Sequence, residues 1–289
     1  MTKVLGHLHV FYHDQVDYFI DKLKNIKACD WDLVVTYSEY DQTTEGKIKA
    51  FRPDVRFLEV ENVGYDVWPF IKLLQQTDVS QYGYVMKLHT KGPSSKVYRI
   101  NGLFLSRYRW RDLLVDAIVG SEARFSRCMR MMEQDADCGF VCAYEMSKDL
   151  SKNVLEDLVM LQDEARRIGV SRTDGIYIAG TMFLARMDAL KLIKEAEITP
   201  AMFGGHDSRS HIGASLAHVY ERLLCYAMYD AGYGLRRVVT RPMAAFSVML
   251  HRALAPLLKF TFSLDREGVD RVKVLTLFGF KIALDHGKK

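Results

Sequence analysis

The sequence predicts an α/β fold built on an open, doubly wound and mostly parallel sheet, followed by a helical or hairpin appendage. Two observations predict it. Short apolar runs alternate with stretches of helical spacing through the first hundred residues, the signature of parallel βαβ units. Clusters of polar and small residues also follow directly on the apolar runs, where open sheets of this kind bind ligands. The character changes near residue 240 to apolar runs punctuated by basic residues. We therefore read residues 1–239 as the main domain and 240–289 as the appendage.

Taken in order, VLGHLHVFY (Val4 to Tyr12) reads as the first strand. Gln15 to Ile26 follows as a helix, because Val16, Phe19, Ile20, Leu23 and Ile26 share one face, with Asp14 as N-cap. Strands at Asp32 to Thr36 and Val55 to Val60 flank a short helix at Glu45 to Phe51. A helix at Trp68 to Gln76 leads to a strand at Tyr84 to Leu88. The stretch from Phe104 to Met132 reads as helical and Arg-rich. Cys138 to Tyr144 is a strand and Asn153 to Ile168 an amphipathic helix. Gly175 to Ala185 is a further strand, Asp188 to Ala196 a helix, and Ser215 to Gly232 a long helix.

Composition narrows the function classes. The chain has 289 residues, 49% hydrophobic and 26% charged, as ordinary globular domains do. A formal charge of +4 suits anionic substrates or an anionic membrane surface and is too weak to imply nucleic acid. The five cysteines form no C-x-x-C pair, which argues against zinc and thioredoxin-like chemistry and fits a reducing, cytoplasmic setting; Cys138 and Cys142 read as small buried hydrophobes. The opening residues lack a signal-peptide pattern and no apolar run is long enough to span a bilayer. The expectation is a soluble or peripheral protein.

Four constellations carry chemistry. In ENVGYDVWPF, Asn62 and Asp66 surround Gly64, which permits a tight turn or the close approach of a ligand. Two readings stand: a ligand-binding turn, or a strand-to-helix turn capped by Asp66. In YVMKLHTKGP, period two puts Lys87 and His89 on one strand face, with Lys91 just beyond. Cations delivered there by a buried strand fit a phosphate or diphosphate without metal. Gly180 and Thr181 interrupt an apolar strand, as happens where a ligand approaches or where a hydroxyl is satisfied internally. Between Gly204 and Leu223, Asp207 lies in a polar loop that runs into a helix carrying His218, Glu221 and Arg222 within one turn. His218 and Glu221 could act as a pair, to which His206, His211 or Asp207 would add the third ligand of a metal site, yet no metalloenzyme spacing is present. In the tail, His251 to Phe262 and Arg271 to Ile282 mix basic and bulky apolar residues. They read as a hairpin packed on the main domain or as a weak membrane-surface attachment.

In this order, His7 to Tyr12, Asn62 to Phe70, Lys87 to Lys91, Trp110 to Leu114, Gly180 to Phe183 and Ala217 to Arg222 resemble the motifs of the rhamnan synthesis protein F family, over about residues 5–235. The resemblance implies a Rossmann-like domain of the GT-A type. It further implies a bacterial glycosyltransferase of O-antigen, capsule, lipopolysaccharide or rhamnan assembly; the expected location is the cytoplasm, with attachment to the inner face of the cytoplasmic membrane as the alternative. The donor would be a nucleoside-diphosphate sugar, with rhamnose or galactofuranose, and the acceptor a lipid-linked or oligosaccharide glycan. Asn62, Gly64 and Asp66 would line the donor cleft, Lys87, His89 and Lys91 would stand near the diphosphate, and Gly180 and Thr181 would approach the sugar. His218, Glu221 and Arg222 would complete the acceptor side. Where relatives carry Asp-Gly before the last helix, this chain has Ile212-Gly213, which leaves Asp207 as the nearest acid.

No D-x-D stands at the end of the Lys87 strand, so the expectation is transfer without a divalent metal, by inverting displacement. Lys87, Lys91 and His89 would stabilise the leaving group, and Asp207 or Glu221 would act as base. The competing expectation is a non-catalytic carbohydrate-binding or assembly subunit. The absence of G-x-G-x-x-G after the first strand argues against a reductase or epimerase.

Overall fold

The computed structural model describes residues 3–27, 29–149, 158–204, 216–267 and 272–284. The chain runs through β1 (Val4–Val10), α1 (Val16–Leu23), β2 (Trp31–Tyr37), α2 (Gln42–Phe51), β3 (Arg56–Glu59), α3 (Val67–Gln76) and β4 (Tyr84–His89). A hairpin of β5 (Ser94–Ile100) and β6 (Leu103–Arg107) precedes α4 (Arg109–Val119), α5 (Glu122–Gln134) and β7 (Cys138–Ala143). There follow β8 (Ser147–Asp149), α6 (Leu158–Arg167), β9 (Ile176–Ile178), β10 (Phe183–Arg186), α7 (Lys191–Glu195), α8 (Leu216–Asp230) and β11 (Gly234–Val238). The last elements are α9 (Pro242–Thr261) and a three-stranded antiparallel sheet of β12 (Phe262–Glu267), β13 (Val272–Leu277) and β14 (Phe280–Leu284).

The fold is α/β, with a mostly parallel seven-stranded sheet ordered β11-β7-β10-β4-β1-β2-β3. Only β10 runs antiparallel to its neighbours. Every residue of β1 and β4 is buried, so helices cover both faces of the sheet centre. One helical group joins α1, α2, α4 and α5; the other joins α3, α6, α7 and α8. Local chemistry explains the element ends. The apolar stripe of α1 buries Val16, Phe19 and Leu23, and Asp41 caps α2 by accepting from the Thr44 amide at 2.5 Å.

The differences from expectation have physical causes. Phe104 belongs to the β5–β6 hairpin rather than to a helix. The apolar run from Gly175 to Ala185 is two strands, because Gly180 (φ 97°) and Thr181 (φ 46°) are left-handed and redirect the chain. Asp14 lies in a 3-10 turn and caps nothing; the residue before α1 is Gln15. The expected helix from Asn153 is described only from Leu158.

Helix α9 is seated on the main unit. Ala244 and Val248 of α9 are buried, and Arg252 donates to the Ser147 carbonyl at 2.6 Å. The start of α9 is fixed by Glu145, fully buried, whose carboxylate accepts from the amides of Thr240 and Arg241 at 2.9 Å.

Candidate functional site

From β1 the chain leaves towards β2 and β3 on one side, while β4 pairs with β1 on the other. This is a topological switch point, and the crevice of an open sheet lies beyond the carboxyl ends of the two strands that flank it. Parallel pairing sets His7 opposite Lys87 and His9 opposite His89. Partners in register share a face, so these four side chains and Thr36, opposite His9 on β2, project together. That face is covered by α3, where the Phe70 ring stacks on His7 and lies 5.6 Å from the Lys87 ammonium.

Lys87 has no exposed surface. Its ammonium donates to Asp66 Oδ2 at 2.6 Å, to Thr181 Oγ1 at 2.9 Å and to the Thr181 carbonyl at 3.0 Å. The Thr181 hydroxyl also donates to Asp66. Burial pushes the Asp66 carboxyl up, but the Lys87 ammonium and the hydrogen bonds from Lys87 and Thr181 outweigh it and hold the group well below the usual carboxylate range. Burial lowers Lys87 and Asp66 opposes that shift. One nitrogen among three oxygen acceptors, one of them a carboxylate oxygen, is the geometry of an ammonium–carboxylate pair. Two strained turns meet at this pair: Gly64 and Tyr65 at φ 64° and 54°, and Gly180 and Thr181 at 97° and 46°. Consecutive left-handed residues that include a non-glycine cost about 1–3 kcal/mol and persist where surrounding contacts enforce them.

The histidines are neutral. Burial holds His89 and His7 well below the ordinary imidazole range, with Lys87 adding to both, and takes His9 to about 4. Nε2 of His7 and Nδ1 of His9 contact the Thr36 hydroxyl at 2.8 and 3.0 Å. Nδ1 of His89 lies 3.4 Å from Asp66 Oδ2 without hydrogen-bond geometry. His7, His9 and Thr36 were not among the expected site residues. The alternation H-L-H-V in β1 carries the same period-two signal that joins Lys87 to His89.

At the mouth, the Thr90 hydroxyl accepts from the amides of Phe11 and Tyr12 at 2.9 and 3.0 Å and ties the two strand ends together. Lys91 is partly exposed, its ammonium 4.1 Å from the Trp110 ring centroid. Glu221 accepts from the Gly180 amide at 2.6 Å; burial raises its pKa, and the Gly180 hydrogen bond and His218 act against the rise. His218 is exposed, its ring 6.0 Å from that of Tyr65.

Several expectations change. Lys87 makes no direct contact with solvent, because its three protons bind protein oxygens; Lys91, just beyond the strand, is partly exposed. Asp66 precedes α3 but does not cap it, since its carboxylate turns to Lys87 and Thr181. What approaches the two glycines is protein: a Cβ at Gly64 would lie 2.7 Å from the Phe203 ring, and one at Gly180 2.7 Å from Leu114 and 2.9 Å from Trp110. Arg222 is buried, with Nε donating to the His218 carbonyl at 3.0 Å, and so turns inward. Asn62 is exposed. Asp207, His206 and His211 lie outside the described residues. All five cysteines are free thiols, four of them buried.

The fold and the crevice define an α/β domain with a buried ion pair beneath the switch point of its sheet. The sequence profile of the rhamnan synthesis protein F family matches residues 1–233, and the chain belongs to that family. It is 23% identical over 242 residues to the uncharacterized protein WxcX of Xanthomonas campestris pv. campestris, in each of two strains. That match takes in 80% of this chain and 32% of the relative, so the chain spans about a third of the length of the curated relatives it matches. Among solved structures, the mannosyltransferase PcManGT from Pyrobaculum calidifontis, in complex with GDP-Man and Mn2+, superposes with a TM-score of 0.42 at 11% identity, covering 90% of this chain and 63% of that one. A mycobacterial protein superposes with a TM-score of 0.39 at 12% identity, covering 98% and 85%. Both likenesses are too distant to bear on the site.

Proposed function

We propose that this chain is a glycosyltransferase of bacterial surface-polysaccharide synthesis. It moves a sugar, rhamnose or galactofuranose, from a nucleoside-diphosphate donor to a lipid-linked or oligosaccharide acceptor at the cytoplasmic face of the membrane. Membership of the rhamnan synthesis protein F family supports a glycosyltransferase-like role in polysaccharide synthesis. The observation that carries the reading is the Lys87–Asp66–Thr181 group beneath the crevice, with Lys91 at its mouth.

In this reading Lys91 meets the leaving diphosphate, a preorganised charge that strengthens where charge develops. Lys87 is a positioning residue: it holds Asp66 and Thr181, and through them the two left-handed turns. The residues present do not suit a divalent ion, because the strand end offers two ammonium groups, and the Asp66 carboxylate is taken by one of them. Among the described residues no three metal-ligating side chains cluster. Glu221 is the base that activates the acceptor hydroxyl in a single inverting displacement; Asp207 is its rival, and Asp66 is occupied.

The test is a panel of nucleoside-diphosphate sugars with glycan acceptors, reading both nucleotide release and product stereochemistry. Turnover with one donor, indifferent to chelator and lost on Lys91→Met, is the expected result. Donor binding without turnover would identify a non-catalytic carbohydrate-binding subunit instead. Loss of transfer with chelator, restored by manganese, would overturn the metal-independent mechanism.

A further inference from the structure

The chain leaving β4 is held at consecutive residues. The Thr90 hydroxyl accepts from the Phe11 and Tyr12 amides. The Tyr12 ring packs so closely on Gly92 that a Cβ there would lie 2.6 Å from it. Between them, Lys91 is gripped through its main chain by Gln15, which is buried in the turn after β1. Nε2 of Gln15 donates to the Lys91 carbonyl at 2.8 Å, and Oε1 accepts from the Lys91 amide at 3.3 Å. One carboxamide thus pairs with both main-chain groups of a residue beyond the strand ladder, as a neighbouring strand would.

Arg111 decides which way that amide faces. Its guanidinium is buried between the Tyr18 and Tyr108 rings, 3.7 and 4.2 Å from their centroids. Nε and Nη2 donate to Asp112 Oδ1 at 3.0 and 2.8 Å, and Nη1 donates to Gln15 Oε1 at 3.1 Å. A guanidinium offers donors only, so the oxygen end of Gln15 faces it and Nε2 is left for the Lys91 carbonyl. The preceding residue, Trp110, lies against the Lys91 ammonium, 4.1 Å from its ring centroid, and its indole N–H donates to the Ala179 carbonyl at 3.2 Å. Neighbouring residues of α4 therefore fix Lys91 twice, Trp110 at the side chain and Arg111, through Gln15, at the main chain. Among the described residues the Lys91 ammonium has no hydrogen bond or ion pair of its own. It is a cation held in place by groups that leave its charge uncompensated.

We propose that Gln15 is the positioning residue for Lys91, fixing its ammonium in advance for the diphosphate of a nucleoside-diphosphate sugar. The ligand is taken from the glycosyltransferase reading, on which the proposal rests, while the clamp stands on geometry. A lysine that must be ordered at the moment of binding weakens affinity by about three- to tenfold, a loss that a held lysine avoids. Gln15 needs both ends of its amide for this. Glutamate would keep an acceptor for Arg111 and for the Lys91 amide, but would set an oxygen against the Lys91 carbonyl.

Two readouts on the full chain test it, with Gln15→Met, Gln15→Glu, Lys91→Met and the Gln15→Met/Lys91→Met double variant. First, the lysines are reductively methylated with isotope-labelled formaldehyde, and the Lys91 methyl resonance is identified by its absence from Lys91→Met. The Trp110 ring should shift that resonance upfield in the wild type, and Gln15→Met should return it to the position of an exposed lysine. Second, the diphosphates of uridine, guanosine and thymidine are titrated calorimetrically. Gln15→Met should weaken the binding by about three- to tenfold, and should change nothing further in the Lys91→Met background. Gln15→Glu, which keeps an acceptor for Arg111, is the milder variant should methionine disturb folding, and it should act in the same direction. A Lys91 resonance indifferent to both Gln15 variants, or losses that add in the double variant, would overturn the inference alone. Diphosphate affinity unchanged in Lys91→Met, or no binding of any of the three, would take the ligand from Lys91 and overturn the inference together with the reading beneath it.

Discussion

Asp66 and Lys87 meet at 2.6 Å beneath the carboxyl ends of β1 and β4, in a place where Lys87 has no access to water. The pair joins three separate pieces of chain: the turn before α3, the centre of β4, and, through Thr181, the turn into β10. A lysine in the middle of a sheet is tolerated only because every proton has an oxygen to bind. The geometry therefore makes this ion pair the support of both strained turns.

Removing either partner alone strands a buried charge. Lys87→Met should destabilise the fold by about 3–5 kcal/mol, and Asp66→Asn by a comparable amount. The double variant should cost less than the sum, because neither charge is then left unpaired. Urea denaturation of the three variants measures the coupling. Strict additivity would mean that the pair is not the support described.

Stability should fall with pH in the mildly acid range. Burial lowers His9 to about 4, with Asp66 opposing and Lys87 adding, while an unfolded histidine titrates near ~6.5. Between these values the unfolded chain binds a proton that the fold refuses, so stability is lost as pH falls from about 6.5 towards 4. For His9 the loss is of the order of 3 kcal/mol, and His7 and His89 act in the same direction. Asp66 extends the trend: its depressed folded value contributes stability above the ordinary carboxylate range, lost as pH falls through that folded value. Denaturation midpoints at about pH 7 and 5 give the slope, and His9→Gln should flatten it. A wild-type profile flat over that interval would contradict the neutral, buried state of the three imidazoles.

Strands β1 to β4 and their helices were legible in the sequence because apolar periods of two and 3.6 are local signals. The shared face of Lys87 and His89 followed from the same period, and His7 and His9 could have been added by it. What stayed hidden depended on distant segments. Lys87 reads as a ligand-facing cation until Asp66, 21 residues away, and Thr181, 94 residues away, are seen to take its protons. Gly64 and Gly180 announce a close approach, but only the fold reveals that Phe203, Leu114 and Trp110 make it. The reversal before β10 was invisible because two left-handed residues break an apolar run without a polar residue other than Thr181.

Gly180→Ala should be costly for that reason. The new methyl would sit 2.7 Å from Leu114 Cδ1 and 2.9 Å from Trp110 Nε1, at a φ of 97° that favours glycine. Overpacking and backbone strain together predict a loss of about 2–4 kcal/mol, read as a lower denaturation midpoint. Gly169→Ala is the control. Its φ of 79° is also left-handed, but no atom lies within contact of the added carbon, so only the backbone part, about 1–2 kcal/mol, should appear.

Glu221→Gln separates two duties of Glu221, holding the Gly180 turn and taking the acceptor's proton. Its carboxylate accepts from the Gly180 amide at 2.6 Å, which holds the turn, and its raised pKa, set first by burial, makes it a stronger proton acceptor than an exposed glutamate. Glutamine keeps an oxygen for the Gly180 amide but cannot take a proton. If Glu221 is the base, the variant should fold with wild-type stability and bind donor unchanged, while single-turnover transfer falls by about 10²–10⁴-fold. The acidic limb of the wild-type pH–rate profile should vanish with it, since that limb records protonation of the free carboxylate. Transfer within about threefold of wild type would confine Glu221 to holding the turn and pass the role of base to Asp207.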